Sequence, residues 1–155
     1  MRLSMRLVSA SLALIWGASG NQPVNFSGTW NLNVEKSKWG TASKPHSVVL
    51  TVEHNEPALH YHGAVVYANE EQREFAFSGA FDGKAYPMSR SFGDGSITLT
   101  RVDPWTFESV FKSDDGKTVE ASRNAVSRDG RTMTRILRVT SPEGVKKWTE
   151  VYEKR

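Results

Sequence analysis

Short stretches of alternating apolar and polar residues run along the chain beyond Asn25. In the stretch 46–54, Val48, Leu50 and Val52 occupy every second position. A period of two is typical of a β-strand with two different faces. Similar stretches, rich in Val, Thr, Phe, Tyr and Trp, predict ten strands. Their expected bounds are residues 28–35, 46–54, 58–67, 71–79, 84–92, 96–102, 106–113, 117–127, 131–140 and 145–153.

Tight turns separate these stretches. Asp-Gly pairs stand at positions 82–83, 94–95, 115–116 and 129–130. Glycine adopts the positive φ of a two-residue hairpin turn at little cost, so these pairs predict hairpins. Consecutive hairpins place sequence neighbours side by side, which predicts an antiparallel up-and-down meander.

The number of strands favours a closed sheet. An open meander of ten strands would expose two edges that can pair with other chains, and closure into a barrel removes both. We therefore expect an all-β protein of about ten strands, with an eight-stranded lipocalin-like barrel as the alternative. The long connection at 36–45 is interrupted by Ser, Gly and Pro, and it predicts a loop or one helical turn.

Several predicted strand faces mix apolar and charged residues. Leu137 shares a face with Arg135, and both Trp148 and Tyr152 share one with Glu150. Such faces suit a barrel whose lumen holds a ligand and some polar groups better than they suit a tightly packed sandwich.

The first twenty residues have the pattern of a secretion signal. Arg2 and Arg6 give a basic start, residues 7–16 are mostly apolar, and residues 18–20 are small. This arrangement predicts a signal peptide at 1–20 and one mature domain at 21–155, secreted or periplasmic. The apolar run is too short for a membrane span, so we expect none in the mature chain.

Charge and cysteine content narrow the choice of partners and stabilising forces. Cleavage after Gly20 would lower the formal net charge from +3 to +1 by removing two arginines. So small a charge argues against a nucleic-acid surface. The chain has no cysteine, so its stability must come from the core and the sheet rather than from disulfides.

Two short segments resemble the calycin superfamily. The segment Phe26-Ser27-Gly28-Thr29-Trp30-Asn31-Leu32 is similar to the Gly-x-Trp opening of lipocalins and fatty-acid-binding proteins. The closing Val151-Tyr152-Glu153-Lys154 looks like the last strand of the fatty-acid-binding branch. The resemblance implies a ligand-holding barrel in which Trp30 and Gly28 are structural residues near the base.

The sequence departs from the fatty-acid-binding pattern in two places. The stretch 36–45 looks too short for the pair of lid helices of that branch. Glu150 stands two residues before Tyr152, where those proteins tend to carry an arginine for the ligand carboxylate. A buried Glu150 would need an internal arginine partner, such as Arg135 or Arg123, or a cationic ligand.

Aromatic and charged residues within the predicted strands are the candidates for ligand contacts. A planar guanidinium inside the barrel suits an anionic group. Five arginines lie in the predicted strands, at positions 90, 101, 123, 135 and 138. Of these, we favour Arg123 and Arg135 as luminal. The expected ligand-binding residues are Tyr61, Phe77, Phe107, Arg123, Arg135, Trp148, Glu150 and Tyr152.

Three histidines lie close together in sequence. His60 and His62 share one strand face, and His54 lies across the turn at 55–57. Three imidazoles can bind zinc or copper. A polar outer strand face is the favoured explanation of the pair, so we expect neither a metal nor another cofactor.

The sequence leaves three functions open. It has no nucleophile elbow, phosphate loop or zinc-protease helix. The favoured function is an exported monomeric binding protein for a small hydrophobic or amphiphilic ligand. The alternatives are an enzyme that uses luminal Glu, Tyr or His, and an envelope interaction or inhibitor protein acting through loop tips such as Trp39 and Trp105. A membrane barrel is disfavoured because the stretch 117–127 has no cleanly apolar face.

Overall fold

The computed structural model describes residues 22–155. The signal peptide expected at 1–20 lies outside the described residues. Residues 22–155 form no helix, and none of this part could therefore cross a membrane as a helix. The ten strands are β1 (Gly28–Leu32), β2 (Ser47–Asn55), β3 (Ala58–Val66), β4 (Gln72–Ala80), β5 (Ala85–Arg90), β6 (Gly95–Asp103), β7 (Thr106–Ser113), β8 (Val119–Val126), β9 (Thr132–Ser141) and β10 (Gly144–Lys154).

The strands form one closed antiparallel barrel. Each strand pairs with its sequence neighbours, and the first strand closes the ring against the last. In this closure Trp30 of β1 lies opposite Leu50 of β2, while Leu32 lies opposite Tyr152 of β10. The all-β meander and its closure are confirmed, with ten strands rather than eight.

The first strand is shorter than expected. It ends at Leu32, three residues before the predicted end, because the chain turns at Asn33. The Asn33 side chain accepts a hydrogen bond from the Lys36 backbone N–H at 3.0 Å, which stabilises a turn in place of a ladder. The connection that follows is a loop without a helical turn, and its Lys38 pairs with Thr149 of β10.

Aromatic residues close one end of the barrel, here called the floor. Phe26 and Trp30 are almost completely buried, and the Trp30 indole N–H donates to the Phe26 carbonyl at 2.9 Å. Phe107 packs edge-on against Phe26 at 5.0 Å and against Phe81 at 5.2 Å. These buried, mutually packed rings therefore close the floor.

The opposite end is the mouth, formed by the 33–46 loop and the β3–β4, β5–β6, β7–β8 and β9–β10 turns. Gly40 allows the loop to approach β10 closely. Any larger residue would place a Cβ 2.4 Å from the Lys147 carbonyl oxygen. The Gly40 φ of +56° also favours glycine. The loop is therefore held against the rim of the barrel.

Candidate functional site

A cavity of about 290 Å³ extends from the mouth into the barrel. Its walls are mainly apolar, because the inward positions of β2 to β6 carry aliphatic and aromatic side chains. Six of these are Val48, Val65, Phe77, Met88, Ile97 and Leu99. An enclosed apolar volume with a few polar groups is the usual form of a small-molecule site.

Glu150 of β10 is the centre of the polar part of this cavity. Its side chain is only 10% exposed, and both carboxylate oxygens accept hydrogen bonds. Trp148 donates to Oε1 at 2.8 Å, while Tyr152 and Arg135 donate to Oε2 at 2.9 and 3.2 Å. These donors balance the cost of burying the negative charge.

The hydrogen bonds continue from Arg135 across the neighbouring strands. Arg135 lies opposite Glu150 on one side and Asn124 on the other, and it donates to the side-chain Oδ1 of Asn124 at 2.9 Å. The Asn124 amide donates to the Ser122 hydroxyl at 2.8 Å, and Ser122 meets the Ser109 hydroxyl at 2.7 Å. This polar network therefore spans four adjacent strands from β7 to β10.

Tyr61 of β3 faces the network but does not join it. The ring is 7% exposed and stacks on Phe77 at 5.2 Å. Its hydroxyl has no hydrogen-bond partner among the described residues. Burial raises the pKa of Tyr61 to about 12, with Arg135 acting in the opposite direction. The hydroxyl is therefore neutral and can donate a hydrogen bond to a ligand oxygen.

Arg90, the last residue of β5, lies at the mouth between two aromatic rings. Its guanidinium carbon is 3.9 Å from the centre of Phe92 and 4.1 Å from that of Phe111. The nearest acid is Glu120, at 3.8 Å, which is longer than a hydrogen bond. The Arg90 Nε is buried and has no partner within residues 22–155.

Desolvation shifts the acidity of both Arg90 and Glu120. Burial lowers the pKa of Arg90, with Glu120 opposing this change. Burial raises the pKa of Glu120, although Arg135 and Arg90 act against it. Both shifts have the same origin: each charge is partly removed from water without gaining a close hydrogen-bonded partner.

Trp39 of the mouth loop also lines the cavity. Its indole N–H is buried and finds no acceptor in the described part of the chain. Ser37 anchors the loop nearby by donating to the Asn33 carbonyl at 2.7 Å and accepting from the Val151 N–H at 3.0 Å. The loop therefore places an unused hydrogen-bond donor at the entrance.

The structure brings most of the expected ligand-binding residues together. Seven of them line the cavity, namely Tyr61, Phe77, Phe107, Arg135, Trp148, Glu150 and Tyr152. Arg123 lies elsewhere, on the outer surface, where it donates to Glu108 at 2.8 Å and remains half exposed. The expectation that Arg123 faces the lumen is corrected by the alternation of β8, which turns Ser122 and Asn124 inward instead.

Sequence reasoning missed the luminal residues Ser109, Glu120, Ser122 and Asn124. All are polar and therefore resemble outward-facing strand positions. A usable signal was the register of β8 against β9: once Arg135 faces inward, the residue opposite it must also face inward, and that residue is Asn124.

The three candidate metal-binding histidines do not share a face. His54 is buried at the floor, where Nδ1 accepts from the Phe26 N–H at 3.1 Å and Nε2 lies 2.6 Å from Glu56. His60 is on the outer surface beside Ser78, and His62 is also exposed. Among residues 22–155, no three His, Cys, Asp or Glu side chains form a metal-binding group.

No protein-family model matches the sequence, and no curated protein shows significant similarity to it. Solved structures do match. The chain is similar to zebrafish ileal bile acid-binding protein complexed with cholic acid, with a TM-score of 0.58 and 12% identity. That match covers 84% of this chain and 98% of the zebrafish protein. The chain has the calycin-like barrel fold.

A second solved structure matches the same share of this chain. The calycin-like barrel is similar to Rv2717c from M. tuberculosis, with a TM-score of 0.52, 11% identity and coverage of 84% of this chain and 92% of that one. At identities this low, the two structural matches establish the shared fold alone. The ligand has to be inferred from the cavity itself.

Proposed function

We propose that this protein is an exported binding protein that holds one small hydrophobic or amphiphilic molecule inside its barrel. The observation that carries the proposal is the cavity of about 290 Å³, with its apolar wall and its converging polar groups. Burial of apolar ligand surface would supply affinity at about 25 cal/mol per Å². The polar groups would orient the ligand.

The structural matches agree with this proposal. One of them, the zebrafish protein, was solved in complex with cholic acid, and nearly its whole chain aligns with the barrel. A protein of this fold that binds cholic acid supports a binding role for the present barrel. The different polar residues of each barrel would then decide which molecule is bound.

Binding fits the luminal chemistry better than catalysis does. Glu150 already accepts three hydrogen bonds, so it has little capacity to take a proton from a substrate. Burial raises the pKa of Tyr61 and of Tyr152, which keeps both phenols protonated near neutral pH. Glu150 and the two tyrosines therefore act as fixed members of the cavity wall and offer no free base.

A loop-mediated interaction is also less well supported. Trp39, one of the two candidate loop aromatics, lines the cavity. Trp105 is partly buried, and Arg128 covers its ring at 4.5 Å from the ring centre. Neither indole stands free as an anchor for a partner.

Export is proposed on the sequence pattern of residues 1–20 alone. Amino-terminal sequencing of the protein from its own host should find a mature chain that begins near Asn21 in the extracytoplasmic fraction. A full-length chain retained in the cytosol would refute export, and it would leave the binding proposal in place.

Ligand binding is tested first on protein purified under native conditions from its own host. Native mass spectrometry followed by organic extraction should reveal one small amphiphilic molecule per chain. The recombinant protein should then bind the dye anilinonaphthalene sulfonate in its barrel, and the extracted molecule should displace that dye.

A matched pair of variants locates the binding site. Val65 lines the cavity and Ala64, its neighbour on β3, faces outward. Val65→Trp should fill the cavity and abolish dye binding, whereas Ala64→Trp should leave it unchanged. Circular dichroism verifies that both variants are folded. Equal dye binding by two folded variants would refute a luminal site.

A further inference from the structure

We propose that the ligand is an anionic amphiphile that enters the barrel tail first and leaves its anionic headgroup at the mouth, against Arg90. This inference rests on the proposed binding function and adds to it a ligand class and an orientation. It follows from the distribution of used and unused hydrogen-bond donors along the cavity.

Arg90 is a largely buried cation at the mouth with free hydrogen-bonding capacity. Its side chain is 10% exposed, the rings of Phe92 and Phe111 hold its plane, and Nε has no partner within the described chain. The neighbouring Arg73 is already engaged, because its Nε donates to Glu71 at 2.6 Å. A planar guanidinium held in this way suits a carboxylate, sulfonate or phosphate oxygen pair.

Glu120 does not satisfy Arg90. The two charges are 3.8 Å apart, without a hydrogen bond between them. An arginine that served only to neutralise Glu120 would be expected at hydrogen-bond distance, as Arg135 is from Glu150. A ligand anion can therefore approach Arg90 more closely than its present counterion does.

The charges that line the cavity favour an anion overall. The positive residues among them are Arg73, Arg90, Arg135 and Lys146, and the negative ones are Glu120 and Glu150. Trp39 adds a buried N–H without an acceptor at the same end of the described barrel. A negatively charged headgroup at the mouth would meet the Arg90 guanidinium.

The deeper polar network is unsuited to a carboxylate. Arg135, its positive residue, already donates to Asn124 and to Glu150. A second carboxylate placed there would lie beside the charge of Glu150 in a low-dielectric cavity, where like charges repel strongly. The apolar walls at Phe77 and Leu99 are instead suited to an alkyl tail or ring system.

The ligand class is tested with three probes that share one tail. We expect dodecanoate to bind at least tenfold more tightly than dodecanol, and dodecyltrimethylammonium to bind most weakly, in calorimetric titrations below the micelle concentrations. Equal affinity for acid and alcohol would overturn the headgroup inference while leaving the binding function intact. Failure of all three probes and of the dye would overturn the binding function itself.

Arginine variants locate the headgroup. Arg90→Met keeps the aliphatic stem and should weaken dodecanoate binding about tenfold with little effect on dodecanol. Arg123→Met removes the same charge from the outer surface and should change neither affinity. Glu120→Gln should tighten dodecanoate binding severalfold, so the inference stays testable even if Arg90→Met is unstable. An unchanged dodecanoate affinity in folded Arg90→Met, or a weaker one in Glu120→Gln, would contradict it.

The orientation is tested with dodecanoate that carries a nitroxide at its terminal carbon. Paramagnetic broadening in an amide NMR spectrum should be strongest around Leu99 and weak at Gly40 of the mouth loop. The reverse pattern, with broadening concentrated at the mouth, would place the headgroup at depth and overturn the proposed orientation.

Discussion

Arg135 donates a hydrogen bond of 3.2 Å to Glu150 from the position directly opposite it across the β9–β10 ladder, inside the barrel. Both side chains are about nine-tenths buried. The pair therefore links two strands through charges that water does not screen, and each charge depends on the other.

Removal of one member of this pair should be strongly destabilising. Arg135→Met leaves the carboxylate of Glu150 buried with only its two neutral donors, and we expect a loss of about 3–5 kcal/mol in the free energy of unfolding. Urea denaturation monitored by tryptophan fluorescence measures this loss. Arg123→Met, at the exposed pair with Glu108, should change the same quantity by less than about 1 kcal/mol.

The double variant Arg135→Met with Glu150→Leu tests whether the pair acts as a unit. We expect it to recover a large part of the stability lost in Arg135→Met, because no unpaired charge remains. Losses that simply add in the double variant would show that the two residues are not coupled.

The sequence predicts the barrel well because the apolar alternation and three of the four Asp-Gly turns fix both strands and connectivity. The hairpin turn predicted at Asp94-Gly95 is wrong, because the chain turns before it and Gly95 begins β6 without a positive φ. The sequence does less well on β8. One face of this strand carries Val119, Ala121 and Arg123, and the other face carries Glu120, Ser122 and Asn124. Neither set is clearly apolar. Without hydrophobic contrast a strand has no local signal for its inward face, so that assignment depends on pairing with β9.

The mouth is similarly hard to predict. Trp39 and Arg90 reach the cavity mouth only through contacts between distant segments, namely the pairing of Lys38 with Thr149 and the packing of Arg90 on Phe111. No local period encodes those contacts. By contrast, Glu150 was identifiable in advance because it shares a strand face with Trp148 and Tyr152.

The two luminal tyrosines should respond differently to loss of the hydroxyl. Tyr61→Phe removes a buried hydroxyl that has no partner among the described residues, so we expect unchanged or slightly increased stability. Tyr152→Phe removes a donor to Glu150 and should cost about 1–3 kcal/mol. Thermal and urea unfolding of both variants measure the difference. An equal loss in the two would show that Tyr61 has a partner.

Alkaline pH should destabilise the barrel through Tyr61. Its pKa is about 12 in the folded protein against 10.0 normally, so the folded state keeps the proton longer than the unfolded state. The stabilisation is complete below pH 10 and is lost as the pH rises toward 12, by up to about 3 kcal/mol. Tyr61→Phe should lose less stability over this interval. Identical alkaline profiles for the two proteins would contradict the shift.

Glu120 should make the free energy of unfolding fall as the pH rises through the range in which its carboxyl group loses its proton. Burial raises its pKa, so the folded state binds this proton more tightly than the unfolded state does. The loss occurs between the ordinary glutamate pKa and the raised value, in a setting that also contains Arg90, Arg135 and Glu150. Glu120→Gln should flatten this part of the urea-midpoint profile. An unaltered slope would show that Glu120 is solvated in the folded protein.

Gly40 should control how long a ligand stays in the barrel. A Cβ at Gly40 would lie 2.4 Å from the Lys147 carbonyl oxygen, and φ is +56°, so Gly40→Ala should displace the loop that carries Trp39. Gly130→Ala introduces a comparable backbone strain, with φ at +71° and no atom within 4 Å of the new Cβ. Gly130→Ala should lose about 1 kcal/mol of stability through its positive φ, and Gly40→Ala should lose more because its Cβ also meets the Lys147 backbone. Stopped-flow displacement of the dye should accelerate severalfold in Gly40→Ala and stay unchanged in Gly130→Ala, because the second turn lies at the floor. Equal dissociation rates in all three proteins would show that the loop does not retain the ligand.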